Sequence, residues 1–365
     1  MFCILHFQLI TIMSRYLIFL LLPLLTYSAC TDPVGGDDDG PMLPSFDRRG
    51  MLTDWADEVI IPALTDLNTE LEALAAANDA FTAAPEEATL VSLRAAFKSA
   101  YLSFQGLDPF ILGKGEEVRL RELLNTYPTN VDLIRENIAS GNANLELPTN
   151  TAAQGFPALE FLLHAESDQL IAEENYRAYA ATLIARIATL NKSVLVDWNG
   201  TSRDLFIQND GSSATASIDR TVNDYIFHYE KFLRAGKVGI PAGIFSDAPL
   251  ANRAEALYAG YAKELFVEAL RASSDFFSNQ GLKEYLDVLA VSRDGELLSS
   301  QIVSQFAVIE AASADLSNSY AEQVGIDNGQ MLQLYDEMQK LVVLLKVDMV
   351  QALSINIDYV DADGD

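Results

Sequence analysis

The chain has 365 residues, half of them hydrophobic, and 24 Lys and Arg against 52 Asp and Glu give it a net charge of −28. An acidic chain with no basic stripe and no interleaved aromatics repels polyanions, so nucleic acid is excluded as a partner while cationic ligands and metal ions stay open. Cys3 and Cys30 are the only cysteines and both precede the folded part, which excludes disulfides and thiolate chemistry from it.

At the start, an apolar run over 16–25 follows Arg15 and leads into Thr26-Tyr27-Ser28-Ala29-Cys30, with no acidic residue before Asp32. A charged start, a short apolar core and small residues ahead of a Cys form a signal peptide over 1–29, since a membrane span needs roughly 20 apolar residues. Cys30 is then the expected lipidated N-terminus, with the membrane as partner through the anchor. That places the protein in the cell envelope, on the outer membrane. Residues 30–50 centre on Gly35-Gly36-Asp37-Asp38-Asp39-Gly40, a composition that cannot bury a core and reads as a flexible acidic tether.

Beyond the tether the chain reads as helix. Ile60, Leu64, Leu67, Leu71 and Leu74 step by four and three, as do Leu90, Leu93, Phe97, Tyr101 and Phe104; this is the spacing of one apolar helix face. Pro85 ahead of Glu86 and Glu87 separates the two helices. Ile218, Val222, Tyr225, Tyr229 and Phe232 repeat the pattern, then Leu334, Met338, Val342, Leu345 and Met349, and no segment sustains strand alternation. Helices with single apolar faces bury them against one another. The expected fold is therefore all-α, with two helical-bundle halves over 51–200 and 212–365 joined in one elongated or compact unit. Asn199-Gly200 and the polar run 209–213 mark the boundary. A second loop is expected over 236–249, which holds Gly239, Pro241, Gly243 and Pro249, and a further helix start over 251–258. The latter echoes the layout at Gly155, with Glu255 in a place comparable to Glu160.

Gly155-Phe156-Pro157-Ala158-Leu159-Glu160-Phe161-Leu162-Leu163 encloses one carboxylate in apolar sequence. Pro is tolerated in a first helical turn, so a helix is expected to begin there. The stretch resembles the signature of the imelysin-like family, formerly grouped as M75 peptidases, whose motif is Gly-x-His-x-x-Glu. Gly155 and Glu160 match; Pro157 stands where the family usually has His. Tyr127-Pro128-Thr129-Asn130, Lys237-Val238-Gly239-Ile240-Pro241 and the ending 357–365 support the resemblance in the same order along the chain. It covers roughly residues 54–365. The resemblance implies an all-helical fold of two bundle-like halves, export across the inner membrane and a link to iron or haem uptake, and it establishes no reaction.

A ligand site is expected between the halves, built from Gly155, Phe156, Pro157 and Glu160, from Tyr127 and Pro128, and from Lys237, Pro241, Arg253, Glu255 and Tyr258. Glu160 and His164 are one helical turn apart and share a face, which makes them the candidate metal ligands. The competing reading has Glu160 bonded to loop backbone and His164 as a partly buried neighbour. A buried carboxylate needs partners, expected to be backbone N–H groups or a cation such as Lys237 or Arg253. Tyr225, Tyr229, Tyr258 and Tyr261 are candidates for lining a cleft that binds ferric iron, weighed against core packing with the hydroxyl at the surface. The ending Asp361-Ala362-Asp363-Gly364-Asp365 lacks the remainder of a calcium loop and reads as a solvated tail.

No His-Glu-x-x-His and no Gly-x-Ser-x-Gly occurs in the chain, and Pro157 can neither ligate nor transfer a proton. Binding suits these residues better than catalysis. The expected function is that of an imelysin-like envelope lipoprotein that binds a ligand or partner in iron or haem acquisition, with an outer-membrane receptor as a further partner. The alternative is a metallopeptidase of the M75 type that uses Glu160 and His164.

Overall fold

The computed structural model describes residues 46–355. The expected signal peptide, Cys30, the Asp37–Asp39 run and the acidic ending 361–365 lie outside them. The last residues assigned to the tether are folded instead. Phe46 stacks on Tyr285 at 4.3 Å, Asp47 accepts from the Gly50 N–H at 2.8 Å, and a short helix, Arg48–Asp54, follows.

The sequence stripes are buried helix faces. Ile60 leads into α1 (Ile61–Ala83), where Leu64, Leu67, Leu71 and Leu74 are buried, and Leu90, Leu93, Phe97, Tyr101 and Phe104 are buried along α2 (Glu87–Leu107). Each such side chain contributes about 1.5–3 kcal/mol on leaving water. Among the shorter helices that follow are α3 (Leu120–Asn125), α4 (Val131–Ser140) and α5 (Gly155–His164). The Asn130 side chain caps α4 by accepting from the Leu133 N–H at 3.1 Å. Then α6 (Glu174–Asp197) returns along α1 and supports α5.

In the second part, α7 (Ser217–Phe227) runs on without a break into a π-helical segment, His228–Gly239. Then come α8 (Ala262–Asn279), α9 (Leu298–Ala314) and α10 (Tyr320–Val342). Helix α10 packs on the π-helical segment and on α9, and α8 packs on both α9 and α2. The buried apolar residues of both parts thereby merge into one core. The strands among the described residues are a single short antiparallel pair, Ser292–Arg293 with Glu296–Leu297. No helix of the described residues is long and apolar enough to cross a membrane.

Two segments differ from the sequence expectation. The loop expected over 236–249 is helical through Ala242, with turns only after Gly243. Lys237 and Val238 are buried, and their packing keeps the segment wound. The helix start expected over 251–258 is a single 3-10 turn, Ala251–Arg253, followed by a non-helical strap to Tyr261. Ala256 lies at φ +48° and Gly260 at +72°, left-handed values that interrupt a helix. Glu255 and Glu160 consequently sit in unlike local structures.

Candidate functional site

The site begins with how α5 enters the core. Gly155 has φ +76°, and a Cβ added there would lie 2.3 Å from the Leu124 carbonyl oxygen of α3. Only glycine allows that approach. Phe156 stacks on Tyr101 with centroids 4.7 Å apart, so it is a packing residue. Pro157 is buried in the first turn, and Glu160 follows one turn later.

Glu160 is 2 % exposed. Its Oε1 accepts two backbone N–H groups of the strap, from Tyr258 at 2.6 Å and Ala259 at 2.8 Å. Lys237 and Arg253, the cations considered from sequence, do not pair with it. Among the described residues Oε2 accepts no hydrogen bond. Burial pushes the carboxyl up to about 7, against the pull of the two N–H donors, and the negative charge of Glu255 adds to the rise. A small cleft opens beside this carboxylate, lined by Tyr127, Pro128 and Thr129, by Pro157, and by strap residues including Leu257 and Tyr258. Its free volume is about 10 Å³, room for roughly one water-sized group.

Lys237 and Glu255 form a buried ion pair next to this cleft, exposed by 2 % and 1 %. Asn125 donates to Glu255 Oε1 at 2.7 Å and the Tyr101 hydroxyl reaches the same oxygen at 3.1 Å. The Lys237 ammonium also donates to Gln105 Oε1 at 2.7 Å. Four segments are thus tied together: α2, the end of α3, the π-helical segment and the strap. A buried pair with this many further hydrogen bonds meets the condition under which burial of charge is tolerated.

A second buried cluster was not anticipated from sequence. Arg121 donates to Asp108 Oδ1 at 2.8 Å and lies 3.3 Å from Asp224, and the His228 Nε2 is 3.2 Å from Asp108 Oδ2. Burial acts upward on the Asp108 carboxyl, but Arg121 and His228 outweigh it and hold the group well below the usual range. For Asp224 burial wins over Arg121 and the carboxyl rises to about 6. Burial keeps His228 below its ordinary value despite Asp108; the neutral ring then donates from Nε2. Asp224 and His228 are one helical turn apart, a signal of the same kind as Glu160 and His164, but their partners come from distant segments.

The remaining sequence candidates do not join the cleft. Pro241 is buried and its carbonyl accepts the Leu250 N–H at 2.9 Å. Arg253 is exposed, with no side-chain bond among the described residues, because the 3-10 turn holds it at the surface. His164 shares a helix face with Glu160 but turns into an aromatic pocket between Phe97 and Tyr261, at centroid distances of 6.4 and 6.5 Å. Its Nε2 is buried without a partner, and burial lowers the imidazole to about 4. Among the described residues no group of three or more His, Cys, Asp or Glu is placed to hold a metal ion, so the Glu160 and His164 pair is corrected to two separate environments. The tyrosines part company as well. Tyr225 and Tyr229 donate to the Ser273 and Met338 carbonyls at 2.9 and 3.2 Å, Tyr261 is buried, and Tyr258 alone of the four lines the cleft.

A family model described as Imelysin, Peptidase M75, matches residues 60–347. The chain belongs to the imelysin family. It is similar to the crystal structure of an imelysin-like protein from Psychrobacter arcticum 273-4, with 18 % identity, a TM-score of 0.70 and coverage of 86 % of this chain and 97 % of that one. It is also similar to the crystal structure of a "putative iron-regulated protein A precursor" from Parabacteroides distasonis ATCC 8503, with 15 % identity, a TM-score of 0.72 and the same coverage, 86 % and 97 %. At these identities the likeness concerns the fold. No curated protein matches the chain.

Proposed function

We propose that this imelysin-family chain is a non-catalytic envelope protein that binds a ligand or partner in iron or haem acquisition, held at the outer membrane through Cys30. One observation supports the reading above others: Glu160 Oε1 is committed to the strap by two N–H donors, with Pro157 where a motif imidazole would stand. A carboxylate used as an anchor beside a cleft suits recognition. The description of one similar solved structure as iron-regulated directs the search for the ligand, and an outer-membrane receptor is the corresponding partner.

Haem and ferric chelates titrated into the purified protein, followed by absorbance and calorimetry, test this directly. Saturable binding of one of them, with no proteolysis of casein in the presence of zinc, is the expected result. The metallopeptidase reading keeps one observation in its favour, since a carboxyl raised to about 7 is poised as a general base. Metal-dependent proteolysis that disappears in a folded Glu160→Gln protein would establish it over the binding reading. The anchor is tested by Cys30→Ala, which is expected to leave the protein unprocessed or soluble.

A further inference from the structure

We infer that the cleft at Glu160 receives the primary ammonium group of a small ligand, with Oε2 as its acceptor and the Tyr127 and Tyr258 side chains forming the walls. The inference rests on the reading of this cleft as a binding site and adds the chemistry of what enters it.

Several features converge on that group. Glu160 is almost fully buried, yet only one of its two oxygens has donors, and the residue lines the cleft. Oε2 is left open to the cleft rather than sealed in the core, and an ionised acceptor bonds most strongly to a charged donor. None of the residues lining the cleft is cationic. The nearby cations are engaged elsewhere, Lys237 by Glu255 and Arg135 by Glu166 at 2.5 Å. Once ionised, Glu160 therefore presents the cleft with a charge that no cation of the described residues pairs. Two of the cleft's lining residues are tyrosines.

Size narrows the class. A free volume of about 10 Å³ admits one water-sized group, which fits an ammonium; haem or a ferric chelate, the ligands of the proposed function, would be held elsewhere on the protein. A ligand carboxylate would meet Glu160 as a like charge. A metal ion would find a single carboxylate and no second or third His, Cys, Asp or Glu ligand among the described residues.

The test is calorimetric titration of the full chain at pH 8 with n-butylammonium chloride, n-butanol and sodium butyrate, each also added to a sample with bound haem or ferric chelate. Butylammonium is expected to bind at least tenfold more tightly than butanol, and butyrate not to bind. Glu160→Gln keeps an acceptor for the strap but removes the charge, so it should fold, shown by an unchanged circular dichroism spectrum, and lose at least tenfold in butylammonium affinity. Tyr258→Ala should weaken the same binding by a smaller factor. Equal affinities for butylammonium and butanol, or equal affinity in the Glu160→Gln protein, would overturn the inference, as would ferrous sulfate displacing the amine. If an iron ligand binds and butylammonium does not, the ammonium site fails while the proposed function stands. If butylammonium binds in a Glu160-dependent way and no iron ligand does, the proposed function fails while the site stands.

Discussion

At Glu160 two opposing effects meet on one side chain. The strap needs an acceptor for two N–H groups, and burial disfavours the charge that the acceptor carries. The rise of the carboxyl from 4.5 to about 7 corresponds to about 3 kcal/mol against the ionised form. Glutamine offers a neutral Oε1 to the same donors. Glu160→Gln should therefore stabilise the protein at pH 8 by about 1–3 kcal/mol, and give no gain at pH 4.5, where the wild-type carboxyl is already protonated. Urea unfolding at the two pH values checks this, and equal stability of mutant and wild type at pH 8 would contradict it. Sequence alone leaves the partner open between backbone N–H groups and a cation, and does not show that the donors are neutral and shared by one oxygen. The Lys237 and Glu255 pair behaves differently. Lys237→Met leaves Glu255 buried without its cation and should cost about 3–5 kcal/mol, whereas adding Glu255→Leu should recover most of that loss. A double mutant no more stable than Lys237→Met alone would show that the pair does not act as a unit.

At the scale of elements, α5 depends on a single backbone position. Gly155→Ala would place a Cβ 2.3 Å from the Leu124 carbonyl at φ +76°, so α5 or α3 must shift; a loss of at least about 2 kcal/mol is expected, read as a lower thermal midpoint. What was legible from sequence follows the same physics. The stripes of α1, α2, α7 and α10 were readable because each helix has one apolar face whose period is local. The strap was not readable, since its N–H groups are satisfied by a side chain nearly a hundred residues away, and Ala256 at φ +48° carries no sign of that in its identity. The continuation of the helical winding over 236–242 hid behind its glycines, because Lys237 is held inside by Glu255 and Gln105, contacts that no window of sequence contains. Arg121 with Asp108 and His228 failed to appear for the same reason: three segments supply the charges, and only the folded chain brings them together.

For the whole molecule these shifted groups combine into a stability profile. Glu160 and Asp224 have folded values above their ordinary ones, about 7 and about 6, so the stability they contribute is present below the unfolded carboxylate range and lost as pH rises through those values. His164, near 4, and His228 are lowered by burial; their contribution is present above the unfolded imidazole value and lost as pH falls. Asp108 is held low, so what it contributes is lost only in stronger acid. The acids and the imidazoles oppose one another between roughly pH 4.5 and 7, and the unfolding midpoint should vary little there. Glu160→Gln should tilt the profile so that stability increases with pH across that window, and a mutant profile as flat as the wild type would count against the assignment. The strap also bears on how this sequence tolerates drift. Its two amides discriminate by reach and lone pairs, so replacements at position 160 are confined to side chains that present an oxygen at glutamate length. Position 157 faces no such demand from the strap. The two positions of the signature therefore answer to different demands, first-turn backbone geometry at Pro157 and an oxygen within reach of the strap at Glu160.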